Sequence, residues 1–493
     1  MGTNDNARLL FIMTKITETL LKNTKAILPT ALNNIARRII DNECSLFVGA
    51  GMSLNSNLPS WHQLLKPCAE DLGIKLESNP DLLALAQYYA NRRSDSELKR
   101  IVNEQINSLA KITPLHSALV NAGFKSIWTT NYDQLIEQSL HLNNIAYNTI
   151  TSDYDLATVS YEGHVNVYKI NGDISKRDTL VLTQRDMERY GKTHQLLLTF
   201  LKKELVSNTF FFVGYSFLDR IVLNCLCDIR EYLGLTNSFT THYALMIVNG
   251  KENPQTSYFA EDLKQRYGIE CLFIKKEDFP TIIDALWKFI RNKKVFISGA
   301  YYSMSEEEEH FADNLSYSIV NKLYDNQYRI STGIGKRLGA FITGYANQYL
   351  ITKGKINTSK FLSMRPFPFH LNLDTQKQRE YRTIMEYDCE AAIFMFGRSE
   401  STEKEGTFSE TGHYSRGVYQ EYTIAKELNH IIIPIGSTGY EAKVIWNEVK
   451  NRINEYPYLS KKIDILGSSK DPELLAKTIV SILNEISKQR RIK

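Results

Sequence analysis

The chain has 493 residues, 43% of them hydrophobic and 23% charged, which is ordinary for a soluble globular protein with room for two to four domains. Lys plus Arg number 59 and Asp plus Glu number 55, so the net charge of +4 excludes a strongly basic nucleic-acid binder as the default class. We expect no secretory signal and no transmembrane span, because no apolar run approaches about 18 residues. We expect no disulfide scaffold and a cytosolic protein, since the cysteines are few and scattered: Cys44, Cys68, Cys225, Cys227, Cys271 and Cys389.

Residues 1–40 are predicted to be helical, because apolar residues recur at helical spacing towards Ile40. A short apolar strand, Cys44–Val48, then enters the glycine-rich turn Gly49–Ser53. A strand that leads into such a turn and a helix is typical of nucleotide-binding α/β folds. Further strands are predicted, with helices between them, at 126–130, 165–170, 209–213, 242–248 and 271–274. This alternation predicts a parallel sheet with helices on its faces.

The same pattern restarts in the second half of the chain. The polar segment 249–256 is predicted to be a loop, and the strand Lys294–Ile297 with its turn opens a new unit. We therefore predict two Rossmann-like, parallel-sheet α/β domains, at 1–289 and 290–493. In the second domain, further strands are predicted at 328–330, 391–396 and 430–435, and the polar segment 397–417 is predicted to be a mobile loop. A helix is predicted to begin after Ser305, because four glutamates follow this capping serine.

Polar motifs follow several predicted strands of the first domain. Gly49-Ala-Gly-x-Ser53 offers backbone N–H groups and a helix N-terminus to a phosphate. The other motifs are Thr129-Thr-Asn-Tyr-Asp133, Asn171-Gly-Asp173 and Val213-Gly-Tyr-Ser-Phe-Leu-Asp219. Because the carboxyl ends of parallel strands converge on one crevice, we expect these motifs to form a single site. The alternative is that they are polar loops of the kind every α/β protein has.

These motifs resemble those of bacterial sirtuin-like domains, over roughly residues 30–285. The chain lacks the zinc cysteines of sirtuin deacylases, which points to the NAD-hydrolysing branch. The order of this domain followed by the Lys294–Gly299 unit resembles the sirtuin-like effectors of the Thoeris antiphage defence system. The resemblance implies cleavage of NAD to nicotinamide and ADP-ribose, without a metal.

The resemblance also implies roles for individual residues. Asn131 falls on the catalytic asparagine of the family, whose amide can orient a ribose hydroxyl or the attacking water while oxocarbenium character develops on the ribose. NAD would be bound by residues of the glycine-rich turn and of the later strand ends: Gly49, Ala50, Gly51, Ser53, Asp133, Gly214, Ser216 and Asp219.

Residue 171 departs from the family pattern, which has His-Gly-Asp where this chain reads Asn171-Gly-Asp173. Asparagine cannot accept a proton at any relevant pH, and the loss of a general base costs about 10²–10⁴-fold in rate, or roughly 3–5 kcal/mol. His164 lies seven residues before Asn171, and no geometric argument from the sequence makes it the replacement base. Three interpretations are open: an engineered inactive form, which we favour, a natural homologue with altered activity, or an NAD-binding pseudoenzyme.

The second domain offers turns with N–H groups suited to phosphate, and residues that can bind the rest of a nucleotide. Arg365 and Arg382 can make charge-assisted contacts, and Glu421 can accept bonds from ribose hydroxyls or an amino group. The alternatives are a general Rossmann-like cofactor site and a structural pairing of Arg365 with a nearby carboxylate.

This unit resembles a SLOG domain over about residues 290–493. In the Thoeris effectors such a domain binds a cyclic ADP-ribose isomer made by a partner enzyme with a TIR domain. Arg365 and Glu421 match the ligand-binding arginine and glutamate, and Tyr381 and Arg382 lie in the neighbouring helix. The turn positions implied by the resemblance are Ser298, Gly299, Gly333, Gly335 and Gly439.

Two functions remain in contention on this reasoning. The first is a signal-gated, cytoplasmic NAD hydrolase with no nucleic-acid or membrane partner, and the resemblance implies that it assembles as a homotetramer. The second is a two-site nucleotide sensor that does not turn NAD over, because of Asn171. Protein deacylation is disfavoured by the missing zinc module, and nucleic-acid binding by the near-neutral charge.

Overall fold

The computed structural model divides into two compact units, Met1–Ile290 and Arg291–Lys493. It describes residues 2–53, 56, 58–76, 81–107, 111–159, 163–217, 219–233, 240–250, 252–302, 305–335, 337–355, 358–368, 371, 373–398 and 415–492. Most of the predicted loop 397–417 lies outside the described residues. Each unit is built on one parallel sheet, which confirms the predicted fold class.

Seven parallel strands form the sheet of the first unit, in the order β3-β4-β2-β1-β5-β6-β7. The strands are β1 Cys44–Val48, β2 Ser126–Thr129, β3 Tyr147–Ile150, β4 Val165–Lys169, β5 Thr209–Val213, β6 His242–Val248 and β7 Ile269–Lys275. All the predicted strands are present. The sequence analysis missed β3, because Ile150 is its only fully buried residue and the apolar signal of an edge strand is weak.

Helices cover both faces of this sheet. They are α1 Gly2–Ile40, α2 Ala50–Ser53, α3 Trp61–Leu64, α4 Lys66–Asp71, α5 Leu82–Arg92, α6 Asp95–Asn107, α7 Pro114–Val120, α8 Leu135–Leu142, α9 Asp153–Thr158, α10 Gln184–Thr193, α11 Gln195–Ser207, α12 Ile221–Leu233, α13 Pro254–Tyr267 and α14 Phe279–Arg291. Successive side chains of β1 alternate between two apolar clusters, with Leu46 and Val48 in one and Phe47 in the other. Both faces of the sheet are therefore buried.

The predicted loop 249–256 was too long. The side chain of Asn253 accepts a hydrogen bond from the Thr256 N–H, and Pro254 occupies the first helical position of α13. A capping asparagine followed by proline is a helix start, so the last part of this polar segment is helical.

The chain reverses its direction across the first sheet at β1. Strands β2, β4 and β3 lie on one side of β1, and β5, β6 and β7 lie on the other. The carboxyl ends of β1 and β5 therefore flank a topological switch point, the position at which open α/β sheets bind ligands.

The second unit repeats this design with five parallel strands, in the order β10-β9-β8-β11-β12. The strands are β8 Lys294–Ala300, β9 Arg329–Thr332, β10 Leu362–Met364, β11 Ala391–Phe396 and β12 Ile431–Pro434. The helices are α15 Glu306–Asp325, α16 Leu338–Thr352, α17 Thr375–Glu386, α18 Arg416–Glu427, α19 Tyr440–Asn451, α20 Ile463–Ser468 and α21 Pro472–Ile492. The switch point of this sheet lies between β8 and β11, and the short strand β10 was not predicted.

The predicted start of α15 is confirmed. The Ser305 side chain accepts a hydrogen bond from the Glu308 N–H, and the Glu308 carboxylate accepts one from the Ser305 N–H. This capping box satisfies two N–H groups that would otherwise lack partners at the helix end.

Candidate functional sites

The strand register brings the sequence motifs of the first unit to one edge of its sheet. Thr129 of β2 pairs with Lys169 of β4, so Asn131 and Asn171 each lie two residues beyond a paired position. On the other side, Val48 of β1 pairs with Val213 of β5, and the glycine-rich motifs follow both. The candidate catalytic and nucleotide-binding segments therefore surround the switch point.

Glycines allow the turns after β1 and β5 to touch. The Gly49 N–H donates to the Val213 carbonyl oxygen and the Gly51 N–H donates to the Gly214 carbonyl oxygen, both at 2.9 Å. A Cβ atom on Gly49 would lie only 2.4 Å from that same Gly214 oxygen, and Gly214 has a φ of +67°. These two N–H groups hold the turns together here, so a phosphate-binding role for them stays a prediction; Ala50 is exposed in the same turn.

The Asn131 side chain is held in place by two neighbours. Its Nδ2 donates to Ser53 Oγ at 2.9 Å and to the Gly49 carbonyl oxygen at 3.3 Å. Ser53 Oγ donates in turn to Asp133 Oδ2 at 2.7 Å. Asn131 Oδ1 is buried and has no hydrogen-bond partner within the described residues. This oxygen is thus the part of the amide that can accept a bond from a ligand hydroxyl or water.

Asn171 meets the loop that follows β5. Its Nδ2 lies 3.5 Å from Asp219 Oδ2, and its Oδ1 is buried without a partner in the part of the chain that the structure describes. Strands β2 and β1 separate β4 from β5 in the sheet, so this loop reaches across both strand ends. Burial raises the pKa of Asp219, against the hydrogen bonds from the Ile221 N–H and Asn171 that lower it. Ser216 of the same loop is exposed.

The sequence analysis missed Lys169, the last residue of β4. Its side chain is fully buried, and Nζ lies 2.6 Å from Asp173 Oδ2 and 3.1 Å from Glu137 Oε1. Nζ also donates to the carbonyl oxygen of Asp133. Burial by itself would lower the pKa of the lysine, but the two carboxylates outweigh it and the pKa is raised. The only sequence signal was a lysine at the end of a mostly apolar strand.

A second cluster of polar side chains lies at the switch point of the second unit. Ser298, near the end of β8, donates from Oγ to Glu421 Oε2 at 2.6 Å. Arg382 of α17 forms an ion pair with the same carboxylate, with Nε 3.7 Å from Oε1, and its guanidinium lies 3.9 Å from the centre of the Phe367 ring. Burial raises the pKa of Glu421 and lowers that of Arg382.

Arg365 has a different set of contacts. Its Nη1 and Nη2 lie 2.9 Å and 3.0 Å from the two carboxylate oxygens of Asp388, and Nη1 also donates to the Ile384 carbonyl oxygen at 2.7 Å. Lys294 Nζ lies 2.6 Å from Asp388 Oδ2. This is the structural pairing that the sequence analysis kept as an alternative. Tyr381, on the neighbouring helix, is exposed.

The predicted turn glycines of the second unit lie at the same sheet edge. A Cβ atom on Gly335 would lie 2.0 Å from the Gly299 carbonyl oxygen, and one on Gly333 would meet Met385 at 2.1 Å. Gly439 has a φ of +80° and ends the turn before α19. A Cβ atom on Gly299 would also lie 2.5 Å from the Met395 carbonyl oxygen. Because these contacts are with backbone atoms, close packing of the turns after β8 and β9 requires glycine at 299 and 335.

Comparisons with known proteins match both units in order. A model of the SIR2-like domain matches residues 125–272, and a model of the Sir2- and TIR-associating SLOG family matches residues 278–486. Three relatives are each named NAD(+) hydrolase ThsA. That of Bacillus cereus (strain MSX-D12) is 27% identical over 442 residues, covering 86% of this chain and 90% of the relative. Those of Cytobacillus dafuensis and Enterococcus faecium are 27% and 29% identical, covering 89% and 92% of this chain and 92% and 98% of the relatives.

The two parallel-sheet units, with a polar site at the switch point of each, define a protein that joins a SIR2-like domain to a SLOG domain. Over most of its length, the chain is similar to the relatives named NAD(+) hydrolase ThsA. Among the described residues, no group of three or more His, Cys, Asp or Glu side chains could hold a metal ion. None of the described helices combines the length and apolar character needed to cross a bilayer.

Proposed function

We propose that this chain is an antiphage defence effector of the Thoeris type, which hydrolyses NAD to nicotinamide and ADP-ribose when a cyclic ADP-ribose isomer binds its SLOG domain. The observation that carries the proposal is the anchored Asn131 amide at the switch point of the SIR2-like unit. The similarity to NAD(+) hydrolases over most of the chain supports it.

The geometry around Asn131 suits stabilisation of a reacting ribose. Because Ser53 and Gly49 hold the amide nitrogen, the amide oxygen has a fixed position from which to orient a ribose hydroxyl or the attacking water. Such fixed polar groups lower a barrier because they need not reorganise when charge develops. The turns after β1 and β5 would bind the pyrophosphate.

Asn171 limits the rate of this reaction. An amide can orient water, but it cannot take the proton that hydrolysis releases, so we propose that the chain as it stands is an impaired hydrolase. The same observation favours a second candidate function, a two-site protein that binds NAD and the cyclic signal without turnover.

The Ser298, Arg382 and Glu421 cluster supports the assignment of the second unit as the sensor. Arg382 Nε is buried and has no hydrogen-bond partner within the described residues, so a ligand phosphate could pair with it. The cyclic ADP-ribose ligand, its source in a TIR-domain enzyme, the homotetramer and the cytoplasmic location rest on the family resemblance.

The proposal is tested by incubating the full-length chain and its Asn171→His variant with NAD, with and without cyclic ADP-ribose isomers. Released nicotinamide is measured by chromatography. We expect signal-dependent cleavage, fast in the variant and slow in the chain as it stands. If both proteins bind NAD in calorimetry and neither releases nicotinamide with any isomer, the two-site binding protein is the correct function. Light scattering after size exclusion tests the tetramer, and a monomer would contradict it.

A further inference from the structure

Hydrolysis of NAD releases a proton, and Asn171 cannot accept it. If the chain hydrolyses NAD, another group must therefore accept this proton. The carboxyl and imidazole side chains that the structure describes at or near the crevice include His116, Asp133, Glu137, Asp173 and Asp219. Their hydrogen bonds and ion pairs decide which of them is free to act as a base.

Two carboxylates are already neutralised. Glu137 and Asp173 share the buried Lys169 ammonium, at 3.1 Å and 2.6 Å. Asp173 Oδ1 also accepts bonds from the N–H and Oγ of Ser175, at 2.7 Å and 2.6 Å. Burial raises the pKa of Glu137, but both carboxylates are held against the Lys169 ammonium, so neither is free to contact the attacking water.

Asp133 and His116 are committed to local structure. Asp133 Oδ2 accepts the Ser53 hydroxyl at 2.7 Å, and its Oδ1 accepts the Leu135 N–H at 3.1 Å. His116 Nδ1 accepts the Thr113 N–H at 3.3 Å, as part of the capping box of α7. The remaining nitrogen of a neutral imidazole then carries the hydrogen, and burial lowers the pKa of His116.

Asp219 is different, because one of its oxygens is almost free. Oδ1 accepts the Ile221 N–H at 3.0 Å, whereas the hydrogen bond of Oδ2 is the long contact of 3.5 Å with Asn171 Nδ2. Tyr215 donates its hydroxyl to the carbonyl oxygen of Asp219, not to the carboxylate. No ion pair of the described residues includes Asp219, and burial raises the pKa of its carboxyl, which makes the carboxylate a stronger base.

We propose that Asp219 is a further catalytic residue, whose Oδ2 accepts the proton of the water that attacks the ribose. The inference rests on the proposed NAD hydrolysis. The water oxygen bonds to C1′ of the ribose while the bond from C1′ to the nicotinamide nitrogen breaks. The electron pair of that bond leaves with nicotinamide and cancels its positive charge. One water proton passes to Asp219, while Asn171 Oδ1, buried and without a partner in the described chain, accepts a hydrogen bond from the other.

The test compares the full-length chain with Asp219→Asn, Asp219→Glu and Asn171→His, each saturated with the cyclic signal. Asp284→Asn is the matched control, because it neutralises a surface carboxylate of the same unit, with a side chain 70% exposed. Nicotinamide release is measured from pH 5 to pH 9, and NAD binding is measured by calorimetry.

We expect the chain as it stands to cleave NAD slowly, with kcat/KM rising with pH as the Asp219 carboxyl loses its proton. Asp219→Asn should bind NAD, lose at least about 10²-fold in kcat and lose the pH dependence. Asp219→Glu should keep part of the rate, and Asp284→Asn should match the parent.

If Asp219→Asn keeps the rate and pH profile of the parent, another group accepts the proton and the inference is overturned. It is also overturned if the chain as it stands is no faster than Asp219→Asn while Asn171→His cleaves NAD, and the proposed function then survives. If Asn171→His binds NAD without cleaving it, the proposed function itself fails.

Discussion

The Lys169 ammonium lies 2.6 Å from the Asp173 carboxylate, and neither side chain is exposed to solvent. The same ammonium pairs with Glu137 and donates to the Asp133 carbonyl oxygen. One buried cation thereby connects the segment after β2, which carries Asn131, to the segment after β4, which carries Asn171. Because removing three charges from water is costly, we interpret this cluster as fixing the spacing of the two asparagines.

Lys169→Met should destabilise the first unit strongly, because it leaves two buried carboxylates without a counter-charge. Breaking a buried pair in this way costs about 3–5 kcal/mol. Lys202→Met is the control, since Lys202 pairs with Asp228 at the surface and such pairs contribute about 1 kcal/mol or less. Calorimetric melting of the full chain measures both. Equal melting temperatures for the two variants would show that the cluster does not stabilise the fold.

Asn171→His should raise the rate of NAD cleavage at least about 10²-fold, because imidazole can accept the proton that an amide cannot. The activity of the variant should fall below about pH 6.5, where imidazole becomes protonated. Nicotinamide release against pH measures both effects. A chain that cleaves NAD as fast as its Asn171→His variant would contradict the assignment of residue 171 as the position of the base.

Gly49→Ala should weaken NAD binding and lower the melting temperature. Its Cβ atom would lie 2.4 Å from the Gly214 carbonyl oxygen, so the turns after β1 and β5 must separate, at a cost of about 1–3 kcal/mol. Gly191→Ala in α10 is the control, because, apart from its own helix, the described part of the chain places no atom within 4 Å of its Cβ position. Calorimetry with NAD measures the affinity, and unchanged NAD affinity in Gly49→Ala would place the nucleotide elsewhere.

Arg382→Ala and Glu421→Ala should each weaken binding of the cyclic signal by roughly 10–150-fold, the loss of a charge-assisted contact of about 1.5–3 kcal/mol. Arg365→Ala should chiefly lower the stability of the second unit, because Arg365 is paired with Asp388. Binding is measured by calorimetry and unfolding by thermal melting. If Arg365→Ala loses affinity for the signal but melts at the same temperature as the parent, Arg365 binds the ligand, as the sequence analysis predicted.

Glu386 should make the second unit less stable at high pH. Burial raises the pKa of its carboxyl from 4.5 to about 10, so the folded chain holds a proton that the unfolded chain releases. Stability therefore falls as the pH rises between about 4.5 and 10. Glu386→Gln should flatten this dependence and stabilise the unit at pH 8. The free energy of unfolding is measured with denaturant at pH 6 and pH 9, and Glu380→Gln, at an exposed position, is the control. If the free energy of unfolding of Glu386→Gln changes with pH as much as that of the parent, Glu386 is not the group responsible.

Much of the fold could be predicted from the sequence. Buried parallel strands are short apolar runs, such as Phe210–Phe212 in β5, and helix starts such as Ser305 carry a local capping signature. These signals lie within a few residues of one another, so no tertiary information is needed. The edge strands β3 and β10 were missed, because these two are short and only partly buried, whereas the edge strands β7 and β12 are largely buried and were predicted.

The sequence by itself determined two parallel-sheet domains, because local hydrophobic periodicity marks their strands and helices. It also located the polar motifs, because each follows one of these strands. Only the tertiary structure decided which charged side chains share a partner. It paired Arg365 with Asp388, Arg382 with Glu421, and Lys169 with Glu137. These partners lie on different elements, and each buried charge is paired with whichever opposite charge the packing brings within reach. No local pattern in the sequence encodes that distance.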